Sequence, residues 1–264
     1  MISSNYLFHF TDTKHNLLSI LKNGIQVRYS LEDFSYLEST FQIDLWEEVS
    51  KGDAPGRIEK SEKNEKIRKC AIPMVCFSDI PLSMVLRHTE VYGRYALGFK
   101  KQWGANRGIN PICYITQDSD LASTIKTFNS ITKNIGECNE NYVYRNIFTK
   151  ILRFTKPYEG LFQKGDYVNE NYRFYDEREW RYVEKNDCRP FLSENKFYKC
   201  NDNDKVVRHL NMSMEDIQYI LVDNKDEVKH FHHILKGEGV DEKSLKEVDI
   251  DTIDSAARNA ESAA

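Results

Sequence analysis

The sequence predicts an α+β fold in a single domain. The chain opens with a strand and a helix, several strand-like runs lie between residues 71 and 116, and a mostly helical stretch over residues 119–156 precedes a charged strand. With 264 residues, of which 40% are hydrophobic, the chain can bury a sizeable core as one large domain or two small ones, and we favour one.

The first strand and helix have clear signals. Residues 6–10 are apolar and aromatic, which is typical of a strand. Thr11 or Asp12 can cap the following helix, whose aliphatic face lies between residues 17 and 21 and which ends at Gly24.

The middle of the chain predicts an insertion followed by alternating elements. Residues 46–69 are rich in charge and poor in apolar residues, which favours a mobile lid or a solvated insertion. Strands are expected at Ala71–Phe77, Arg94–Phe99 and Pro111–Thr116, with a helix from Pro81 to about Tyr92.

The last quarter predicts one more strand, one helix and a tail. Tyr219–Val222 is typical of a buried strand, and Glu227–Lys236 of a helix whose three histidines suit a solvated surface better than a metal site. We expect the main domain to span residues 1–240 and the acidic residues 241–264 to be disordered.

Charge and composition narrow the class of protein. The whole net charge of −4 lies in residues 241–264, which leaves residues 1–240 neutral. No apolar run approaches the roughly 18 residues that span a bilayer, and the start lacks a leader pattern, so we expect a cytoplasmic protein without membrane contact. The six cysteines form no C-x-x-C pair, so we expect neither disulfides nor a metal site.

A basic block interleaved with aromatic residues lies between Asn141 and Tyr158, where no acid occurs. Cations can contact phosphates and rings can stack on bases, so the block suits RNA or single-stranded DNA. An amphipathic helix with a solvated basic face explains the pattern equally well. The basic residues of the block are Arg145, Lys150, Arg153 and Lys156.

The charged strand at residues 173–183 is the most unusual segment. Read as a strand, it places Glu177, Glu179 and Arg181 on one face, where the like charges repel each other. Such a face usually borders a cleft, and carboxylates beside an arginine can stabilise a cationic transition state.

Two family resemblances connect this strand with earlier segments. Leu7–Thr11 with Asn16–Ile25 resembles the first motif of ADP-ribosyltransferase-like toxins, in which an early His or Arg, a middle aromatic or Ser motif and a late Glu surround one NAD molecule. The resemblance implies a single domain of split, mixed and antiparallel sheets flanked by helices.

The second resemblance is to the AbiGi family of abortive phage-resistance proteins. It rests on Val75–Leu82, His88, Tyr92-Gly93, Gly98-Phe99 and Glu179–Tyr182, and covers roughly residues 5–225. That family tends to be described as antitoxin-like, whereas a complete transferase triad favours the toxin side.

The transferase resemblance implies roles for the charged strand and the first motif. Glu179 would stabilise the oxocarbenium-like transition state, and Glu177 would orient or deprotonate the acceptor. His9 would bind the NAD ribose and the backbone of Phe10 the nicotinamide, with Thr11 in the same motif. Alternatively, Glu179 forms an ion pair with Arg181 or Arg178, and His9 is a core histidine bonded to a backbone carbonyl.

Further NAD contacts are expected from the same resemblance. Ser78 would support the catalytic glutamate, although Ser78 and Asp79 could instead cap a helix. The rings of Tyr92 and Tyr95 would stack on nicotinamide. Arg28 and Tyr29 would contact the pyrophosphate or adenine, although each of these residues could equally belong to the core or surface.

The sequence therefore predicts an NAD-dependent ADP-ribosyltransferase toxin of phage defence that modifies RNA or single-stranded DNA and is restrained by an inhibitory partner protein. The alternatives are an inactive binding module or antitoxin of the same fold, and a transferase that acts on protein.

Overall fold

A ten-stranded mixed sheet forms the centre of the described part of the chain. The computed structural model describes residues 4–37, 46–49, 57–60, 69–134, 147–183, 192–201, 205–237 and 247–262. The longest path across the sheet follows the strands Val206–Leu210 (β14), Ile25–Asp33 (β2), Lys69–Ser78 (β5), Tyr6–Thr11 (β1), Tyr95–Lys100 (β6), Ile217–Val222 (β15) and Asp249–Thr252 (β16). Neighbours on this path are antiparallel except the parallel pair β15–β16.

Strand β5 divides its length between two groups of partners. Its first six residues pair with β2, whereas its last four pair with the strand Glu179–Tyr182 (β12). At Ser78 the same strand also lies opposite Phe8 of β1. The short strands Asn110–Pro111 (β7) and Leu192–Ser193 (β13) pair with β12 and β5. The sheet is thus split, with β1, β5 and β12 side by side at the division.

Three small two-stranded sheets surround the main sheet in the described ranges. Trp46–Val49 (β3) pairs with Arg57–Lys60 (β4), and these are the parts of the predicted 46–69 insertion that can be described. Cys113–Ile115 (β8) is parallel to Thr155–Pro157 (β9). Gly160–Lys164 (β10) and Tyr167–Tyr172 (β11) form an antiparallel hairpin.

Helices cover the sheet and match most of the predicted segments. They are Lys14–Asn23 (α1), Val85–Tyr92 (α2), Lys101–Asn106 (α3), Asp120–Asn134 (α4), residues 147–152 (α5), Glu194–Lys199 (α6), Lys225–Gly237 (α7) and Ile253–Ser262 (α8). The cap of α1 is Thr13, not Thr11 or Asp12, because its side chain accepts the N–H of Asn16. Gly24 ends α1 at φ 86°, and an added Cβ would lie 2.8 Å from the Leu210 carbonyl oxygen. None of the described helices is long and apolar enough to span a bilayer.

The predicted strand at residues 173–183 is wrong in its first half. Phe174–Glu177 forms a 3-10 helix, and only Glu179–Tyr182 is a strand. Between them Arg178 adopts the left-handed conformation, φ 46° and ψ 51°. Its N–H donates to the Tyr175 carbonyl and its own carbonyl accepts from the N–H of Asp79, so the turn is held from both sides.

The predicted disordered tail is also wrong over its described part. Residues 249–252 are strand β16, and α8 follows directly. Ile253, Ala256 and Ala257 are buried and pack in a cluster that includes Ile80 and Val85. Small side chains let α8 lie close to its neighbours, which explains why an alanine-rich segment is ordered.

Candidate functional site

Five charged side chains from four segments meet beneath the division of the sheet. Arg181 is fully buried, and Glu177, Glu179 and Glu32 are 3%, 4% and 9% exposed. The fifth member, Lys156 of β9, has a side chain that is 13% exposed. We call these five residues the charge network.

Arg181 is the centre of the network. Its Nε lies 2.5 Å from Glu179 Oε1, and its Nη2 lies 2.7 Å from Glu32 Oε2. The remaining nitrogen, Nη1, donates to the carbonyl of Arg153 at 2.9 Å. A planar guanidinium with several fixed donors can satisfy all these acceptors at once, so arginine suits this buried position better than lysine.

Lys156 joins the two glutamates of the sequence motif. Its Nζ lies 2.8 Å from Glu177 Oε2 and 2.9 Å from Glu179 Oε2. The hydroxyl of Tyr92 donates to Glu177 Oε1 on the other side. Desolvation alone would lower the pKa of Lys156, but the two carboxylates outweigh it and raise the pKa well above its usual range.

The three carboxylates and two cations leave an excess of one negative charge. Desolvation would raise the pKa of Glu179, but Arg181 and Lys156 reverse this and hold the pKa below its usual range. For Glu32, desolvation outweighs Arg181 and raises the pKa. Of Glu32 and Glu179, Glu32 therefore takes up a proton more easily.

The predicted triad does converge in space. Ser78 lies opposite both Phe8 and Glu179 in the sheet, and His9 follows directly in β1. His9 Nδ1 is 2.9 Å from the carbonyl oxygen of Cys76, a residue that lies opposite Arg181 in the sheet. Desolvation lowers the pKa of His9, so its neutral form is favoured and Nδ1 donates to the carbonyl.

The same contacts do not fit the predicted NAD ribose. Both carboxylate oxygens of Glu179 accept from Arg181 and Lys156, and the donor of His9 is directed to Cys76. The alternatives raised for both residues describe this geometry: an ion pair of Glu179 with Arg181 and a histidine bonded to a backbone carbonyl. The ion pair differs from the expected one because it is buried.

The other predicted contacts of NAD also have partners within the protein. The ring of Phe10 lies 5.5 Å from that of His88, which in turn lies 5.7 Å from Tyr92. The hydroxyl of Tyr95 donates to Glu227 at 3.1 Å. Tyr95 lies opposite Thr11 in the β1–β6 pair, so these two residues of the prediction are neighbours.

Arg28 and Tyr29 lie on β2, beside the first half of β5. They are opposite Met74 and Pro73, whereas Ser78 and Glu179 are at the other end of β5. Arg28 donates to Gln26 on its own strand at 3.0 Å. The cap prediction for Ser78 and Asp79 is wrong, because the helical turn begins after Pro81 and Asp79 binds Lys101 at 2.8 Å.

Two of the four basic residues predicted for the nucleic-acid surface are withdrawn from solvent. Arg153 is 4% exposed, and Lys156 lies between two glutamates. Lys150 is exposed, and Arg145 lies outside the described residues. A cation that is held inside by carboxylates cannot contact a phosphate, so Lys156 does not belong to such a surface.

Sequence reasoning missed Glu32 and Tyr114 as neighbours of the site. Glu32 is 149 residues from Arg181, and the Tyr114 hydroxyl accepts the N–H of Glu179 at 2.8 Å. One feature of the sequence could have indicated a cation at the site. If Glu177 and Glu179 are buried they require a cation, and the acid-free block that contains Lys156 could supply it.

Comparisons with known proteins point to one family. A family model described as "Putative abortive phage resistance protein AbiGi, antitoxin" matches residues 53–223. A protein of Lactococcus lactis subsp. cremoris, "Abortive phage resistance protein AbiGi", is 31% identical over 190 residues, which are 62% of this chain and 76% of that protein. No solved structure matches the chain, so the predicted likeness to ADP-ribosyltransferase folds stays a prediction.

Proposed function

This chain belongs to the AbiGi family of abortive phage resistance proteins, and we propose that it is a binding protein that restrains a toxin partner in phage defence. The family description includes the word antitoxin, which implies a partner to neutralise. This proposal corresponds to the alternative function predicted from the sequence, an inactive binding module or antitoxin, and not to the predicted transferase.

The state of Glu179 is the observation that carries this proposal. Its carboxylate is 4% exposed and is bonded to Arg181 and Lys156. A catalytic carboxylate must face the charge that develops on the substrate. Withdrawing Glu179 from its partners would leave buried charge uncompensated, at a cost of about 3 to 5 kcal/mol. The network therefore supports a structural role for the carboxylate.

The proposal is tested by expressing the full chain alone and together with each protein encoded in the genes beside its own. We expect the chain alone to leave bacterial growth unchanged, and to relieve the growth inhibition caused by one of those proteins while copurifying with it. Glu179→Gln is the matched variant, because it keeps the shape of the side chain. A folded Glu179→Gln protein should neutralise the partner as well as the parent does.

Growth inhibition by the chain alone, abolished by Glu179→Gln in a protein that still melts cooperatively, would overturn the proposal. Circular dichroism melting of both proteins separates loss of a function from loss of the fold.

A second candidate function is the NAD-dependent ADP-ribosyltransferase, favoured by the register that places Ser78 between β1 and Glu179. It requires Glu179 to leave Lys156 and Arg181. Incubation with labelled NAD and separate pools of RNA, DNA and protein tests it. Label on nucleic acid would support the predicted acceptor, label on protein alone would replace that acceptor, and no label in any pool would exclude the transferase.

A further inference from the structure

We propose that the hairpin arm, residues 158–175, is the docking surface of this protein and takes an extended, basic and apolar segment of a partner protein as an added strand. The arm consists of β10, β11 and the aromatic residues at their base. This inference rests on the proposed function, because it names the surface that a restrained partner would contact.

The arm carries an unusual share of exposed apolar side chains. Leu161 and Val168 are both 55% exposed, Tyr175 is 47% exposed and Tyr167 is 38% exposed. These are four of the ten large hydrophobic residues that are exposed in the described part of the chain, so the arm concentrates them. Concentrated exposed apolar surface is typical of interaction sites.

Among the described residues, one face of the arm packs against the rest of the protein. Phe162 stacks on Tyr172 with ring centres 4.6 Å apart and contacts Tyr92. Lys164, two residues later on the same face, donates to the Val91 carbonyl at 2.8 Å. The alternation of a strand places Gln163 and its cross-strand neighbour Val168 on the opposite face, towards solvent.

The edges of the arm are open to strand addition. In the described ranges β10 and β11 pair only with each other, so each keeps an outer row of backbone donors and acceptors. Such a row is a template for a strand from another chain, and alternate side chains of the added strand supply specificity.

The charge of the arm selects the kind of segment that fits. Its acids Glu159, Asp166 and Glu170 are exposed. Its two cations are also exposed, Lys164 with a hydrogen bond to the Val91 carbonyl and Arg173 at 3.9 Å from Asp176, so the three acids leave the arm with an excess of one negative charge. An added strand with aliphatic residues and lysine or arginine would cover the apolar face and meet these carboxylates. A second copy of this chain would place the same acids against each other.

The charge network holds the arm in position. Lys156 and Glu177 lie just outside the two ends of the arm. The Lys156 Nζ atom is 2.8 Å from Glu177 Oε2. The N–H of Tyr175 donates to the carbonyl of Tyr158, and the two rings stack at 5.4 Å. A surface that is fixed before binding loses less conformational entropy on association, which favours affinity.

Synthetic peptides of about ten residues, a common strand length, test the inference on the full chain. One peptide alternates valine with lysine, and the other alternates valine with glutamate. We expect the lysine peptide to bind at least about 10-fold more tightly, to weaken as salt rises, and to slow amide exchange along one edge of residues 160–172. Titration calorimetry and hydrogen exchange measure these effects.

The double variant L161K/V168K gives the apolar face the same charge as the peptide. We expect it to weaken binding of the lysine peptide at least about 10-fold, since it removes apolar contact and adds repulsion. Leu121→Lys is the matched control, because Leu121 is 45% exposed on α4, outside the arm. That control should bind as the parent does.

Several outcomes would overturn the inference. They are equal binding of both peptides, no binding of either, exchange protection outside the arm, dimerisation of the chain through the arm, or binding of a single-stranded RNA probe that L161K/V168K abolishes. The proposed function is judged separately. If L161K/V168K still neutralises its partner in cells, the docking surface is wrong and the proposed function stands. If the parent chain neutralises no partner, the proposed function fails whatever the peptides do.

Discussion

The charge network and the hairpin arm lie next to each other in the sequence but place polar and apolar groups in opposite ways. Lys156 and Glu177 are inside the protein, whereas Leu161 and Val168, between them in sequence, are outside. Aliphatic residues normally fill the interior and ions the surface. The contrast suggests that this segment is arranged for something other than the largest possible stability.

The difference between the two regions concerns what each contributes. Buried ion networks are often no more stabilising than apolar residues of the same volume, because desolvation offsets the attraction. They do fix geometry, since each charge requires its partner at a defined distance. We interpret the network as the part that orients the segment and the arm as the part that meets another molecule.

Removing the centre of the network should have the largest effect. Arg181→Met would leave Glu32 and Glu179 buried without their guanidinium, so we expect a loss of about 3 to 5 kcal/mol in the free energy of unfolding. Urea unfolding followed by circular dichroism measures it. The control is Arg173→Met, whose ion pair is exposed and should change stability by less than about 0.5 kcal/mol. Equal losses in the free energy of unfolding of both variants would show that the buried and the exposed ion pairs do not differ in their contribution to stability.

Replacing Lys156 tests the link between the two regions. Lys156→Met should cost about 2 to 3 kcal/mol, less than Arg181→Met, because Tyr92 still donates to Glu177. The base of the arm would also loosen, so amide exchange at residues 160–172 should accelerate more than exchange in β6. Unchanged exchange in the arm would show that the network does not orient it.

The histidine beside the network should make stability depend on pH. His88 is 7% exposed, and its Nε2 has no hydrogen-bond partner within the described structure. Burial lowers its pKa from 6.5, opposed by Glu177. As pH falls, His88 therefore takes up a proton in the unfolded state before it does so in the folded state. The free energy of unfolding keeps its full value above pH 6.5 and decreases as pH falls towards the pKa of His88 in the folded protein.

The expected slope is at most about 1.4 kcal/mol per pH unit for one such histidine. His88→Phe keeps an aromatic ring between Phe10 and Tyr92 and should reduce the slope between pH 7.5 and 5.5, measured by urea unfolding at each pH. His9, whose pKa is also lowered, should add a slope of the same sign, whereas Glu32, whose pKa is raised, should add one of the opposite sign. A slope identical to that of the parent would exclude His88 as a source.

The smallest effect on stability is expected in the arm. Leu161→Ser should change the free energy of unfolding by less than about 0.5 kcal/mol, because the side chain is already 55% exposed. Thermal melting compared with that of the parent measures this. A loss above about 1 kcal/mol would mean that Leu161 belongs to the core rather than to an interaction surface.

Local patterns predicted much of the fold. The first strand, the helix that Gly24 ends and the alternation of elements from residue 71 to residue 116 follow from residues close together in sequence. The left-handed turn at Arg178 was not visible, because it depends on a hydrogen bond from Asp79 on a distant segment. Helix α8 was missed because Ile253, Ala256 and Ala257 have helical spacing but two of them are only alanine.

The site was predicted only in part, because a sequence pattern shows residues that are close together in the chain but not their distant partners. Glu177, Glu179 and Arg181 stood out because like charges two residues apart are unusual in a strand. What these charges do depends on Lys156, 23 residues from Glu179, and on Glu32, 149 residues from Arg181. Partners at that distance in the sequence are set by the topology of the sheet.

Strand β5 has a consequence for how the protein unfolds. One continuous strand pairs with β2 along its first part and with β12 and β1 at its end. Neither half of the sheet can separate without exposing the backbone of a strand that the other half also uses. The two halves should therefore melt in one cooperative step, and the amides of residues 70–72 and 74–77, on either side of Pro73, should exchange only when the whole molecule opens.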